Sequence, residues 1–491
     1  MEGDVIIRKQ KLRITAPTEQ IAFECRRFLN HDLNTDLTKM YEQLFFQSTV
    51  SEEYLIIDSL KVDLGVLSIS DFKNHLYELL EEKLINELNK QLKTVSVANI
   101  SEEDLENKPE TEARPDPIVY STETRQSREA LLEFLRSGNF PWWYKQKNGK
   151  APAEILDTFT NKEQESFLLA LVTDARRLPV EKVTQMVKRL FIHLKESVYE
   201  TYLYELSKLF SETSLVSTTQ IIINQRLSIT KLFNISLRDL YEQAVAYLLL
   251  KNEETDFFRK FLAYLQESFA VTTDELHQRL TTDDLNDVLA VFDSQFMNKA
   301  INNEQTGNHH QTSDTKQKKP LETTNDGIYI LNSGLVILHP FLTTFFKSLD
   351  LLDKDNQFTS TKTQAKATVL LYYLQCGMTG YKEWEMSLNK VLCGMGTEEL
   401  LPDGITLSDS EKEESHSLLQ SVIEYWTALK GASIEALQTT FFLRTGKISF
   451  KENHLLIQVE RTGVDILVDR LPWGVGTIKL PWIKEVIYVE W

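Results

Sequence analysis

Residue types able to do chemistry are sparse along this chain, and their spacing argues against most reactions. No Gly-x4-Gly-Lys-Ser/Thr phosphate loop occurs: Gly149-Lys150 is followed by Ala, Gly446-Lys447 by Ile, and neither has the upstream glycine. Gly394-Met-Gly396 and Gly474-Val-Gly476 lack the third glycine of a dinucleotide-binding loop and read as turns. Metal-binding patterns such as His-Glu-x-x-His or Cys-x-x-Cys are missing, and His309-His310 lie in a polar stretch with nothing to form a supporting shell. Asp353-Lys-Asp355 lacks the glycine and closing glutamate of a calcium loop and reads as a solvated turn. Cys393 stands among apolar neighbours at a helix end, as a buried structural thiol does. His339, beside Pro340 in an apolar run, reads as a hydrogen-bonded core residue. The sequence therefore assigns no catalytic residue, no metal site and no cofactor. What remains is aromatic: Trp142-Trp143, the Pro-Trp pairs at Trp473 and Trp482, and Trp491, large amphipathic rings that serve cores and interfaces alike.

The composition sets the class of chain that carries these residues. With 42% hydrophobic and 26% charged residues, the 491-residue chain can build more than one cored domain. Seventy-two acidic against 54 basic side chains give a net charge of −18, which repels a phosphate backbone and disfavours nucleic acid as a partner. The basic run at Lys316, Lys318 and Lys319 is too short to reverse that sign and belongs to a solvated linker. No signal-peptide pattern and no run of about 18 uncharged apolar residues occurs, so no membrane partner is expected. Three scattered cysteines suit a reducing compartment, and cytoplasmic folding is the simplest reading.

Positioning elements follow from periodicity and composition breaks. An N-terminal α/β segment over 1–95 is expected, then a flexible linker over 96–127 rich in Ser, Glu, Thr and Pro. A helical middle domain follows over 128–301, a polar linker over 302–327, and a C-terminal helical domain over 328–491 that ends in a small Trp-rich β region. The runs Val5 to Ile14 and Tyr54 to Leu64 read as pairing strands. Ser70 reads as the N-cap of a helix carrying Phe72, Leu76, Leu80, Leu84, Leu88 and Leu92 on one face. Met186, Leu190, Leu194, Val198, Tyr202, Leu206 and Phe210 predict one long helix, and Leu131, Leu132 and Leu135 a shorter one stopped by Gly138. Ile328 to Pro340 reads as a strand or a short buried helix. Ser408 with Glu411 predicts a capping box before a helix bearing Leu418, Val422, Trp426 and Leu429 and stopped by Gly431; Ser433 caps the next, with Ile434, Leu437 and Phe441 inward. Short strands are expected at Leu455–Val459, Val464–Val468 and Val486–Val489. The fold class is α+β, predominantly α-helical, with small antiparallel sheets near the N-terminus and at the C-terminus.

Taken in order, several of these segments resemble the tape measure family of contractile injection systems, the bacterial relatives of phage tails. They are Leu60-Lys-Val-Asp-Leu-Gly65, Gly138-Asn-Phe-Pro-Trp-Trp143, Asn332-Ser-Gly-Leu-Val-Ile-Leu-His-Pro-Phe341 and Gln364-Ala365. Leu388-Asn-Lys-Val-Leu-Cys-Gly394, the Trp426 helix, Thr440-Phe-Phe-Leu-Arg-Thr-Gly446, Leu471-Pro-Trp-Gly474 and Leu480-Pro-Trp482 complete the series. The resemblance implies a non-enzymatic cytoplasmic component that meets inner tube, baseplate or hub proteins and bears on tube length, with an assembly chaperone or cargo adaptor of the same system as the alternative. Trp142, Trp143, Trp473, Trp482 and Trp491 are then core or interface candidates, with Trp473 and Trp482 expected mostly buried and Trp491 the better contact. Fully helical, the chain would span at most about 740 Å; folded, its radius of gyration is about 23 Å. The linkers and the 12 prolines favour the folded end of that range.

Overall fold

Strand-forming runs that are distant in sequence find each other in the fold. In the computed structural model, residues 13–25, 27, 28, 40, 41, 54–57, 60–96, 118–121, 123–144, 149–210, 213–251, 256–280, 327–451 and 454–491 are described. The chain divides into two compact units, Met1–Glu129 and Ala130–Trp491. In the first, β1 (Tyr54–Ile57) pairs antiparallel with β2 (Ile118–Ser121). The β2 run and a helix beginning at Glu123 thus fall within the span read from composition as a linker. The strand expected over Val5 to Ile14 lies outside the described residues except for Arg13 and Ile14, which have no regular structure. The rest of the 96–127 span apart from Ser96, and the 302–327 span apart from Gly327, are likewise outside them.

The helix expected from Ser70 is instead two. Ser68 is the N-cap of Ile69–Asn74, its hydroxyl accepting from the Asp71 amide, and the chain kinks at His75 before Leu76–Ser96. Phe72, Leu76, Leu80, Leu84 and Leu88 are buried on either side of the kink, so the fourfold spacing survives it. Beyond β1, Leu60, Val62 and Leu64 are not strand; they alternate inward onto this helical face. Gly65, at φ +72°, turns the chain where its amide donates to Asp63.

The second unit opens at Ala130, within the Glu123–Ser137 helix, with a helical region that runs to Thr273–Leu280. Gly138, at φ +76°, ends the first of these helices, as its position after Leu135 predicts. The stripe read as one long helix is broken: Val180–His193 and Tyr199–Lys208 are separate helices joined through extended Leu194 and a 3₁₀ turn, Glu196–Val198. Met186, Leu190, Leu194, Tyr202, Leu206 and Phe210 are buried nonetheless. A fourfold apolar repeat cannot distinguish one helix from two whose joint keeps the same face inward. Ile192, His193, Ser197 and Val198 around the joint are all weak helix formers.

From Gly327 the chain forms β3 (Ile328–Ile330), a fully buried 3₁₀ segment (Ser333–Leu338) and the helix His339–Ser348, so the Ile328–Pro340 run is strand and then short helix. Thr361–Cys376, buried on every face from Ala367 to Gln375, runs through the middle of this core. The Ser408–Glu411 capping box and the Ser433 cap form as the sequence predicts, but the helix expected to run to Gly431 ends at Tyr425. Fully buried Trp426 leads into a 3₁₀ turn, Thr427–Leu429, and Gly431 follows that turn at φ +88°. Strands β4 (Gly446–Phe450), β5 (His454–Val459), β6 (Thr477–Ile478) and β7 (Val486–Glu490) complete a five-stranded sheet of order β3-β4-β5-β7-β6. It is antiparallel except for the parallel β5–β7 pair. Val464–Val468 is not a strand but part of two 3₁₀ turns. Asp465 is buried there, and the turn gives its carboxylate the Thr462 amide and the Arg444 guanidinium as donors, which a strand would not.

Close backbone approach fixes this half. The chain widens into a π-helical turn at Gln438–Phe442, where Gln438 donates to the Leu374 carbonyl. Gly334 lies so near that turn that a Cβ would collide with the Phe441 carbonyl, a backbone atom that cannot move aside. Gly334→Ala should therefore lower the unfolding free energy by about 3 kcal/mol or more. Gly380→Ala, which adds a methyl with nothing within 4 Å, should leave it nearly unchanged. Urea denaturation of both variants checks this.

Candidate functional site

Among the described residues, a buried set of ionisable groups sits inside the second unit, where the helical region meets residues 383–403. Arg189 is fully buried on the Val180–His193 helix. Its Nε donates to both oxygens of Glu383, at 3.0 and 3.1 Å. Its Nη1 donates to the Leu135 carbonyl at 3.1 Å, one of the unpaired carbonyls at the end of the Glu123–Ser137 helix, where a cation is favoured. Its Nη2 donates to the Glu398 carbonyl. Lys390, also fully buried, donates to Glu383 Oε1 and to the Thr397 carbonyl, each at 3.1 Å. Burial lowers the Lys390 ammonium pKa and the Glu383 carboxylate opposes that shift. Two cations thus share one carboxylate, with main-chain carbonyls supplying the remaining acceptors.

Local sequence explains the placement. Gly138 is needed twice, for its positive φ and because a Cβ there would lie 2.8 Å from Glu383 Oε1 and 3.1 Å from Arg189 Nη2. Asn139 accepts from the Ser387 hydroxyl. Trp384, next to Glu383, packs edge-on to Phe134 and Phe140, with ring centroids 5.7 Å apart in both pairs. His193 lies 6.0 Å from the same indole, and burial lowers its pKa to about 4.

A second set of contacts runs through the C-terminal half. The Asn332 amide donates to Gln375 Oε1 at 2.8 Å and to Asn389 Oδ1 at 2.7 Å. The Ser333 hydroxyl donates to the carbonyls of Arg444 and Thr445. Arg444 pairs with Asp465, which also accepts from Trp491 Nε1 at 3.1 Å. Trp473 Nε1 donates to the Ile337 carbonyl at 3.0 Å, and Trp482 Nε1 to the Leu392 carbonyl at 2.9 Å.

These contacts place the three C-terminal tryptophans. Trp473, Trp482 and Trp491 are all half-buried against the C-terminal core, each with its indole N–H donated within the chain. Burial does not set Trp491 apart from the other two. Trp142 and Trp143 are half-buried, and Trp143 packs on the helical core. His339 Nε2 donates to the Gly474 carbonyl at 3.0 Å, and burial lowers its pKa to about 4. Cys393 is fully buried, its thiol pushed up to about 12 by desolvation. Asp353 accepts from the amides of Asp355 and Gln357 in a tight exposed turn. Among the described residues, no group of His, Cys, Asp and Glu is placed to hold a metal ion, and no helix is long and apolar enough to cross a membrane. His309, His310, Lys316, Lys318 and Lys319 lie outside them. Arg189 and Glu383 are not among the residues that sequence spacing picks out. Arg189 was detectable: it falls three residues after Met186 and one before Leu190, where the apolar stripe leaves no room for a charge.

The segments joined here are those that carry the family resemblance, and a family model settles the relationship. The model described as contractile injection system tape measure protein matches residues 4–491. The chain belongs to that family. Comparison with curated proteins and with solved structures gave no match. Membership in the tape measure family makes the chain a component of an injection particle. In this member, the Gly138–Trp143, Asn332–Phe341, Leu388–Gly394 and Thr440–Gly446 segments hold the interior together.

One buried acid gives this interior a pH signature. Glu242, on the Leu237–Lys251 helix, is buried, and desolvation raises its pKa to about 7. The unfolded chain releases that proton nearer pH 4.5, so the folded state holds more protons between the two values. Stability is therefore lost as pH rises from 4.5 through 7. Glu242→Gln should match the parent at pH 4.5 and exceed it at pH 8 by up to about 3 kcal/mol. Chemical denaturation at the two pH values reads the difference.

Proposed function

We propose that this tape measure protein acts while the inner tube assembles on its baseplate, that it bears on tube length, and that it works through folded bodies rather than as a stretched chain. The family match over residues 4–491 carries the first part. The physical cost of stretching supports the last. At about 1.5 Å per residue, the longest helix among the described residues, Leu76–Ser96, spans only about 32 Å. Extending residues 130–491 would expose the fully buried Trp426, Tyr372 and Phe346 and remove Arg189 from its acceptors. The inner tube, baseplate or hub proteins are the partners on this reading.

A second reading, a globular assembly chaperone or cargo adaptor of the same particle, draws support from that same compact fold and from the net charge of −18, which suits a basic partner. Copy number and length separate the two. If the protein helps set length, purified particles hold a fixed low number of copies by quantitative mass spectrometry, and in-frame deletions within residues 128–300 shift the tube-length distribution in electron micrographs. Unchanged lengths together with absence from purified particles would remove the length role and leave the chaperone reading.

A further inference from the structure

We infer that the Arg189–Glu383–Lys390 cluster is a latch, at which two separately cored bodies, residues 130–280 and 327–491, part and rejoin without either unfolding. The apolar packing is partitioned along that line. One core draws its buried side chains from Ala130 to Leu276, the other from Ile330 to Val489. Among the described residues, Trp384 is the one hydrophobic side chain of the C-terminal body packed on the helical core. The rest of the seam is polar: Arg189 to Glu383 and to the Glu398 carbonyl, Ser387 to Asn139, Lys182 to Glu398, and Arg238 to Asp403.

The partners are distributed so that the seam opens cleanly. Arg189 keeps the Leu135 carbonyl, which belongs to its own body, and Lys390 keeps both Glu383 and the Thr397 carbonyl, which belong to its own. Opening exposes the Trp384 indole and the Phe134, Phe140 and His193 rings it covers, and rehydrates charges whose desolvation had opposed docking. Opening either core would instead expose dozens of apolar side chains. The least costly large opening of this unit is therefore along the seam. The inference holds whichever partner the chain serves.

Thiol labelling of the full-length Ser387→Cys variant, read peptide by peptide with mass spectrometry, tests it. Ser387 is buried at the seam against Asn139, whereas Cys393 is fully buried within the C-terminal core. The thiol introduced at 387 should react faster than Cys393, on the order of tenfold or more. Glu383→Gln in the same background, which leaves two buried cations without their carboxylate, should accelerate labelling at 387 and leave Cys393 protected. The triple variant Arg189→Met, Glu383→Met, Lys390→Met should slow labelling at 387 to the rate of Cys393. A position 387 that reacts only in one global event with Cys393 would overturn the latch. So would a methionine triple in which position 387 reacts as readily as in Glu383→Gln.

Discussion

A guanidinium with no exposure to water must be matched by acceptors on every side, and that requirement at Arg189 organises the second unit. The Glu383 carboxylate satisfies Nε, the end of the Glu123–Ser137 helix satisfies Nη1, and the Glu398 carbonyl satisfies Nη2. Each partner carries a constraint outward. The helix must end where its last carbonyls face inward, which calls for Gly138 in a left-handed conformation. Glu383 must be shared with Lys390, which fixes the Ser387–Leu392 helix and, through the Leu392 carbonyl, the Trp482 indole. Leaving any of these polar atoms without a partner would cost more than the pairing itself contributes.

The same economy of backbone acceptors explains why the segments that resemble the tape measure family are so rich in glycine, proline, asparagine and tryptophan. Three half-buried tryptophans each cover apolar neighbours with the ring body and donate the indole N–H within the chain, Trp473 and Trp482 to main-chain carbonyls and Trp491 to Asp465. Glycine appears at Gly334 and Gly138 because another segment occupies the space a side chain would need. Asparagine and serine at 332 and 333 tie the start of the buried 3₁₀ segment to Gln375, Asn389 and the Arg444–Thr445 carbonyls. These are assembly joints of the fold. They account for a shared sequence pattern without invoking a reaction.

Local structure was largely legible in the sequence. Capping residues such as Ser408 with Glu411, and a stop such as Gly138, act within a turn of chain, so their meaning does not depend on the rest of the fold. The predominantly helical class and the C-terminal strands at 454–459 and 486–490 follow from the same local rules. What was not legible depends on partners far away. The kink at His75 and the joint at Leu194 preserve the inward face, so no periodicity reveals them. Val464–Val468 has strand composition, yet Asp465 is drawn into a turn by Arg444, 21 residues earlier. Lys390 is a charge within an apolar run, and only the fold brings Glu383 and the Thr397 carbonyl around it.

Folding around two cores and a charged seam bears on the proposed role in tube assembly. A chain threaded along a lumen would have given up the burial that defines both cores, whereas a folded chain keeps it. Cys393 reports on the choice because it is fully buried and its thiol is held far from ionisation, while the thiolate is the species that reacts. Pulse alkylation of cells during particle assembly, followed by mass spectrometry of the tube-associated protein, is the most direct measurement. A folded working form leaves Cys393 unmodified until denaturant is added; modification at the level of the denatured control would contradict it.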